Sequence, residues 1–214
     1  MIWQCVAMVT VARSDIERRE RTVREIDVMA FDTEIGPMVA AVCEHGLLMA
    51  GIAGETISAD AMLADTTTEM ARRHRRATVT HLDVAAISRR PRLGHHDTVI
   101  AALGSLASGA APDELPPLHL IGTAFQIRVW EQLRQIRRGE VCSYGEVAAA
   151  IGAPTSVRAT AGAVGANPIG LIVPCHRVIR SDGTIGGFGW GLGTKRRLLA
   201  AEGVHLVDDP GTPR

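Results

Sequence analysis

Four cysteines, Cys5, Cys43, Cys142 and Cys175, are the strongest nucleophiles in the chain, and only Cys175 is followed directly by a histidine. The run Pro174-Cys175-His176-Arg177 therefore invites thiol chemistry. A free thiol titrates near pH 8.5, so only a few per cent is thiolate at neutral pH. A neighbouring imidazole can raise that fraction by taking the proton, and an acid can orient the imidazole. His176 and Glu202 are the candidates for these two roles. The same residues also fit a buried, inert cysteine beside a structural histidine, and by themselves they leave both readings open. The cysteines are widely spaced and no C-x-x-C pair occurs, so neither a zinc site of usual spacing nor a disulfide framework is written here. No metal and no cofactor is expected.

The elements that must position this group can be read from pattern. Residues 169–173 are an apolar run short enough for a buried strand, which Pro174 ends, leaving Cys175 just past its tip. Adjacent strand residues face opposite ways, so His176 reaches Cys175 only if the backbone turns or a water bridges them. Upstream, residues 123–136 have helical spacing, with Gly139 as terminator. Residues 144–151 form a short helix, 152–154 a turn, and Thr155 or Ser156 caps a helix running to about Ala166. Two short helices across a tight turn are a helix-turn-helix candidate. The second, SVRATAGAVGA, has almost no long side chain except Arg158. It suits close approach to a backbone or narrow groove rather than base readout in the major groove. It also suits tight packing in a core.

The first half reads differently. Strands are expected over 27–31, 38–43 and 47–52, with a turn at Gly36-Pro37 and a hairpin at 44–46, giving a small antiparallel sheet. Helices are expected over 58–76 and 95–108. The stretch 109–121 is rich in proline and reads as a linker. The expected fold is thus an N-terminal extension (1–25), an α/β domain (26–108), the linker, and a mainly helical domain (122–214) bearing the helix-turn-helix.

Net charge is zero over 214 residues, but ten Arg and Lys stand against five Asp and Glu between Gly122 and Gly203. That half is basic, the footprint of phosphate contacts, although a solvated face would carry the same balance. Lys195 is the one lysine beside 22 arginines, a bias read as genome composition. Neither an 18-residue apolar run nor a signal peptide is present, so a soluble, cytoplasmic protein is expected.

Longer stretches now weigh on the choice left open at Cys175. Pro174-Cys175-His176-Arg177-Val178 resembles the active-site signature of the O6-alkylguanine-DNA alkyltransferases. Gly122 to Gln126, Val129-Trp130, Ser143-Tyr144, Val157-Arg158-Ala159 and Ala166-Asn167-Pro168 follow in that family's order. So do Gly183, Gly186, Phe188, Trp190-Gly191, Leu198 to Ala200 and Glu202-Gly203. The Trp190-Gly191 pair looks most like the C-terminal domain of the Ada type. The resemblance implies a ribonuclease H-like N-terminal domain and direct DNA repair. In that reaction the alkyl group of O6-alkylguanine, and of O4-alkylthymine, moves irreversibly to the protein in one turnover.

Carried over by residue, Cys175 is the acceptor, His176 draws its proton through a water, and Glu202 polarises His176. Asn167 shapes the active-site turn, and Tyr144 helps rotate the nucleotide out and interacts with the guanine. Arg158 fills the gap left in a duplex bound through the minor groove. Gln126, Gly145, Ala153, Ala163 and Ser181 fall at DNA-contacting positions. Val173, Ile185, Phe188 and Trp190 surround the base. The implied partner is double-stranded DNA containing the lesion, met in the nucleoid by a monomer, with cooperative loading an open question. Phe188 stands where many members have Tyr, Trp190 is bulky beside the pocket, and Gly145 and Ala153 replace polar residues. A lesion sensor with little repair activity is the alternative, and the retained cysteine argues against it.

Overall fold

Alternating and continuous apolar runs between residues 25 and 52 build three strands, β1 (Glu25–Phe31), β2 (Met38–Cys43) and β3 (Gly46–Ile52). The computed structural model describes residues 22–54, 57–83 and 93–206. β1 pairs with β2 and β2 with β3, both antiparallel, with Val28 opposite Ala41 and Ala40 opposite Ala50. Every residue of β2 is buried, as an apolar strand flanked on both sides must be. A fourth strand, β4 (Thr78–Leu82), adds in parallel beside β1, so the sheet is mixed, in the order β3-β2-β1-β4. The sequence reading did not include β4. Its run TVTHL is largely unburied, as befits an edge strand, and so carries no apolar signal.

α1 (Ala59–Arg73) starts at Ser58, whose hydroxyl accepts the Ala61 N–H, and buries Met62, Thr66 and Met70 at helical spacing. It packs on β1, β2 and β4. α2 is His96–Ala107. Inside this unit the His96 imidazole lies 3.1 Å from the Asp27 carboxylate. The expected extension, residues 1–25, lies mostly outside the described residues.

The remaining elements form a second compact unit: α3 (Ala124–Leu133), β5 (Cys142–Ser143), α4 (Tyr144–Ala150), α5 (Val157–Gly165), β6 (Val178–Ile179) and α6 (Leu192–Ala201). The division differs from the sequence reading in two ways. The stretch expected as a linker stays with the first unit through Ile121, and Pro168–Ile172 also belongs there. Ala50 of β3 donates to the Pro168 carbonyl and accepts from Gly170 N–H.

α3 begins with a capping box, in which the Thr123 hydroxyl accepts from Gln126 N–H and the Gln126 amide oxygen accepts from Thr123 N–H. Trp130 is buried on α3, and its indole donates to the Ala163 carbonyl at 2.8 Å, tying α3 to α5. A Cβ at Gly122 would lie 2.7 Å from that indole, so only glycine fits there. α3 ends at Leu133, earlier than the pattern suggested, and a turn carries the chain to the buried Ile136. No described helix is long and apolar enough to cross a membrane.

Candidate active site

The apolar run before Cys175 is not a strand. Residues 169–173 form consecutive turns, with one isolated bridge at Ile169. Leu171 has φ +68°, the one positive φ outside glycine among the described residues, and Ile172 N–H bonds back to the Gly170 carbonyl. That is a γ-turn of the rare strained hand. A second, relaxed γ-turn follows at Pro174 (φ −81°, ψ 65°), closed by Cys175 N–H on the Val173 carbonyl. Burial and β-branching gave the run its strand-like look, while two i→i+2 hydrogen bonds give it its actual path. Cys175–Arg177 is then one turn of 3-10 helix, so the backbone bends at the thiol, as contact between neighbours requires.

Two features bring the partners in. Immediately after this turn, β6 pairs in parallel with β5, Cys142 opposite Val178 and Ser143 opposite Ile179. Ser143 is also the N-cap of α4, in a capping box with Glu146. The pairing therefore fixes Tyr144, the first residue of α4, beside the 3-10 turn. At the other end, α6 closes with Gly203 at φ +81°. Gly203 N–H reaches the Ala200 carbonyl and Val204 N–H the Leu199 carbonyl, a Schellman stop. Glu202 is thereby held as the C-cap of the helix.

Two hydrogen-bonded groups meet at the 3-10 turn, one on Cys175 and one on Glu202. The Asn167 amide donates to the Val173 carbonyl at 2.8 Å and to Cys175 Sγ at 3.2 Å. The His176 ring lies 3.0 Å from Glu202 Oε1. Arg177 grips the same carboxylate with two donors, Nε at 2.8 Å and Nη2 at 2.7 Å, and its Nη1 donates to the Ile136 carbonyl at 2.7 Å. Burial pushes the Glu202 carboxyl up, but hydrogen bonds and charge from His176 and Arg177 outweigh it and hold the group at about 2, against an ordinary 4.5. Glu202 is thus ionised, so His176 Nε2 carries the proton it donates. Burial also lowers the imidazole, against the pull of Glu202. A neutral ring with Nδ1 free to accept follows, and Nδ1 is buried without a hydrogen-bond partner among the described residues.

Burial raises the Cys175 thiol. The Asn167 amide, the Lys195 charge and the local backbone N–H groups pull the other way. Lys195 was not foreseen as a site residue. It is fully buried on α6, and its ammonium donates to the carbonyls of Val178 and Ile185, both at 2.6 Å, and of Gly187 at 3.4 Å. Burial lowers it to about 8, against the attraction of Cys175. The signal was available in the sequence. Thr194, Lys195, Leu198 and Leu199 form one buried face, and a lysine on such a face must have a task. For Arg177 the sequence offers only its place in the Pro-Cys-His-Arg motif.

Cys175 opens onto a pocket of about 370 Å3, within the usual range for small-molecule sites. One wall is Ala161, Val164 and Gly165 of α5. Tyr144 and Asn167 form another, and the loop from Gly187 to Trp190 the third. Phe188 and Trp190 meet edge to face, with ring centroids 5.2 Å apart. Gly186 has φ +69°, and a Cβ there would come within 3.3 Å of the Tyr144 hydroxyl, so the loop passes Tyr144 only as glycine. Burial raises the Tyr144 phenol, which keeps it a proton donor. Val173 and Ile185, expected to surround the base, do not line this pocket; their carbonyls accept from Asn167 and Lys195.

The remaining positions singled out from the sequence scatter. Arg158 and Ser181 are exposed, while Gly145 and Ala153 are half-buried around α4 and its turn. The side chain of Gln126 is occupied by its capping box. Ala163 is buried, facing α3 rather than solvent, and meets Trp130 through its carbonyl.

This fold and site define a class, a buried thiol set beside a pocket of small-molecule size and two short helices across a tight turn. The profile described as 6-O-methylguanine DNA methyltransferase, DNA binding domain, matches residues 124–204. A methylated-DNA–protein-cysteine methyltransferase of Mycobacterium leprae is 34% identical over 177 residues, covering 83% of this chain and 92% of that relative. The enzyme of the same name from Haemophilus influenzae is 51% identical over 92 residues, 43% of this chain. That match spans about half of the Haemophilus relative, 51% of its length. A crystal structure of Mycobacterium tuberculosis OGT in complex with DNA superposes with a TM-score of 0.60 at 32% identity, covering 82% of this chain and 92% of that one. The chain belongs to the methylated-DNA–protein-cysteine methyltransferase family.

Proposed function

We propose that this chain repairs O6-alkylguanine in double-stranded DNA by moving the alkyl group to Cys175 Sγ, once per molecule. The observation that carries this reading is the thiol itself, buried at a purine-sized pocket with an amide donor on its sulfur and a neutral imidazole–carboxylate pair adjoining. O4-alkylthymine is a second substrate of the same chemistry.

The lesion turns out of the duplex into the pocket, because no thiol can reach a stacked base. The Cys175 proton passes to His176 Nδ1 through a bridging water, and Glu202 offsets the imidazolium charge. The sulfur lone pair forms a bond to the alkyl carbon as the carbon–O6 bond breaks, and O6 departs with that electron pair. Tyr144 donates a hydrogen bond to a ring nitrogen of the leaving base, and the proton taken up by His176 passes back through water to N1, which leaves ordinary guanine and a neutral imidazole. The protein is left with a thioether, which has no ready path back to a thiol.

DNA binding is assigned to the basic unit around α5. The exposed residues of that helix include Val157, Arg158, Ala159, Gly162 and Gly165, a low surface that lets a groove come close while one side chain enters the stack. Arg158→Ala is expected to slow transfer from duplex DNA about tenfold or more while leaving reaction with the free O6-methylguanine base unchanged, both measured as single-turnover rates. Equal losses on the two substrates would remove Arg158 from the DNA interface. Repair as a whole is tested by mass measurement of the Cys175 peptide after exposure to methylated duplex.

A further inference from the structure

Arg180 is a cation at the pocket rim with no task in the chemistry described so far. It follows β6 and opens a tight turn, in which Arg180 N–H bonds to the Thr184 carbonyl and Gly183 N–H to the Arg180 carbonyl, each at 3.0 Å. Asp182, the nearby acid, is taken up within the turn by the N–H and hydroxyl of Thr184. The backbone of Arg180 is therefore fixed. The direction of its stem is fixed too, since a Cβ on Gly186 would lie 3.6 Å from Arg180 Cγ and 3.3 Å from the Tyr144 hydroxyl. The arginine stem and the pocket tyrosine meet over the same glycine. The side chain is exposed, and among the described residues its guanidinium donates no hydrogen bond. Three other arginines of this unit are occupied, Arg177 by Glu202, Arg134 by Glu131 and Arg138 by the Ala201 carbonyl.

We propose that Arg180 binds a backbone phosphate of the nucleotide that turns out into the pocket. This rests on the alkyl-transfer reading above. A base seated against Cys175 leaves its flanking phosphates at the rim, within one sugar of the pocket, which is the distance a long side chain beside Tyr144 covers. A guanidinium matches phosphate oxygens with two parallel donors, and at an exposed rim it carries little desolvation cost. The contact forms only once the nucleotide has left the stack, so it favours the extruded state over general binding.

The test uses single-turnover transfer by the wild type and by Arg180→Gln, whose exposed site makes misfolding an unsuitable explanation for a loss. The substrates are a duplex with O6-methylguanine, the free O6-methylguanine base, and two duplexes in which the 5′ or the 3′ phosphate beside the lesion is a neutral methylphosphonate. Arg180→Gln is expected to be about tenfold slower on the natural duplex, the size of one charge-assisted contact, and unchanged on the free base. On one of the two methylphosphonate duplexes the wild type should fall to the rate of the variant, with no further loss in the variant. Arg180→Lys should recover part of the rate. Independent losses on both methylphosphonate duplexes would overturn the proposal. So would an equal loss on the free base, which would place Arg180 in tuning Tyr144 instead. A wild type that moves no methyl to Cys175 at all overturns the alkyl-transfer reading, and this contact with it.

Discussion

Lys195→Met is expected to slow methyl transfer about 10- to 100-fold at neutral pH and to change the shape of the pH profile. The first effect follows from charge, since an ammonium in the thiol's surroundings favours the thiolate and its removal shrinks the reactive fraction by that order. The profile follows from two titrations. Burial holds the Cys175 thiol above its ordinary value, so the rate should climb with pH as the proton is lost. Lys195 titrates at about 8, so above that pH its charge fades, the thiol becomes harder to ionise, and the climb should flatten or turn down. In Lys195→Met the limb that reports the thiol should move to higher pH and the break near pH 8 should vanish. The variant also strips the donor from three carbonyls, those of Val178, Ile185 and Gly187, at a cost on the order of 3 kcal/mol, seen in urea unfolding. A slower variant that kept the break near pH 8 would assign Lys195 to holding the pocket wall alone.

The second large effect belongs to the Arg177–Glu202 clamp. Removing either partner strands a buried charge, so Arg177→Met and Glu202→Leu should each destabilise the protein by about 3–5 kcal/mol. The double variant should lose clearly less than the two together, because nothing charged is then left behind. The wild type should show the same pair through acid. The Glu202 carboxyl is depressed to about 2 from 4.5, so its contribution, on the order of 3 kcal/mol, is complete above about pH 4.5 and is lost as pH falls towards 2. That acid limb should flatten in the double variant. Transfer should fail in Glu202→Leu beyond what stability explains, since His176 loses the acceptor that fixes its tautomer. Additive losses in the cycle would mean that the clamp seen in the structure is not worth its geometry.

How far the sequence told the story depends on the physics of each part. The three antiparallel strands and the helices around Tyr144 and Arg158 were legible because their apolar period records them locally, although the cap expected at Thr155 or Ser156 is absent: Ser156 precedes the helix without a side-chain cap bond. Ser143 and Thr123, each followed three residues on by Glu or Gln, mark helix starts by direct hydrogen bonding. β4 was not legible, since an edge strand paired mainly through backbone leaves little trace in side-chain pattern. The path into Cys175 was misread for a different reason. Residues 169–173 are apolar because they are buried, and burial alone does not separate a strand from the two γ-turns around Leu171 and Pro174. The site residues came chiefly from motif order along the chain. The burial of Lys195 is legible from its helix face, but the groups that Lys195 and Arg177 serve are not, because the carbonyls and carboxylate that fold around a buried cation come from positions as distant as Ile136 and Glu202. Ala163 shows the opposite error, a small residue read as facing DNA that instead packs beneath its helix.

The most direct measurement is intact mass followed by peptide mapping after incubation with an excess of duplex containing O6-methylguanine. One methyl for one hydrogen should be gained per protein, all of it on the peptide containing Cys175, with one unmodified guanine restored per protein and no further turnover. Modification at Cys5, Cys43 or Cys142, repair of many lesions by one molecule, or tight binding to the lesion with no gain in mass would contradict Cys175 as the consumed acceptor.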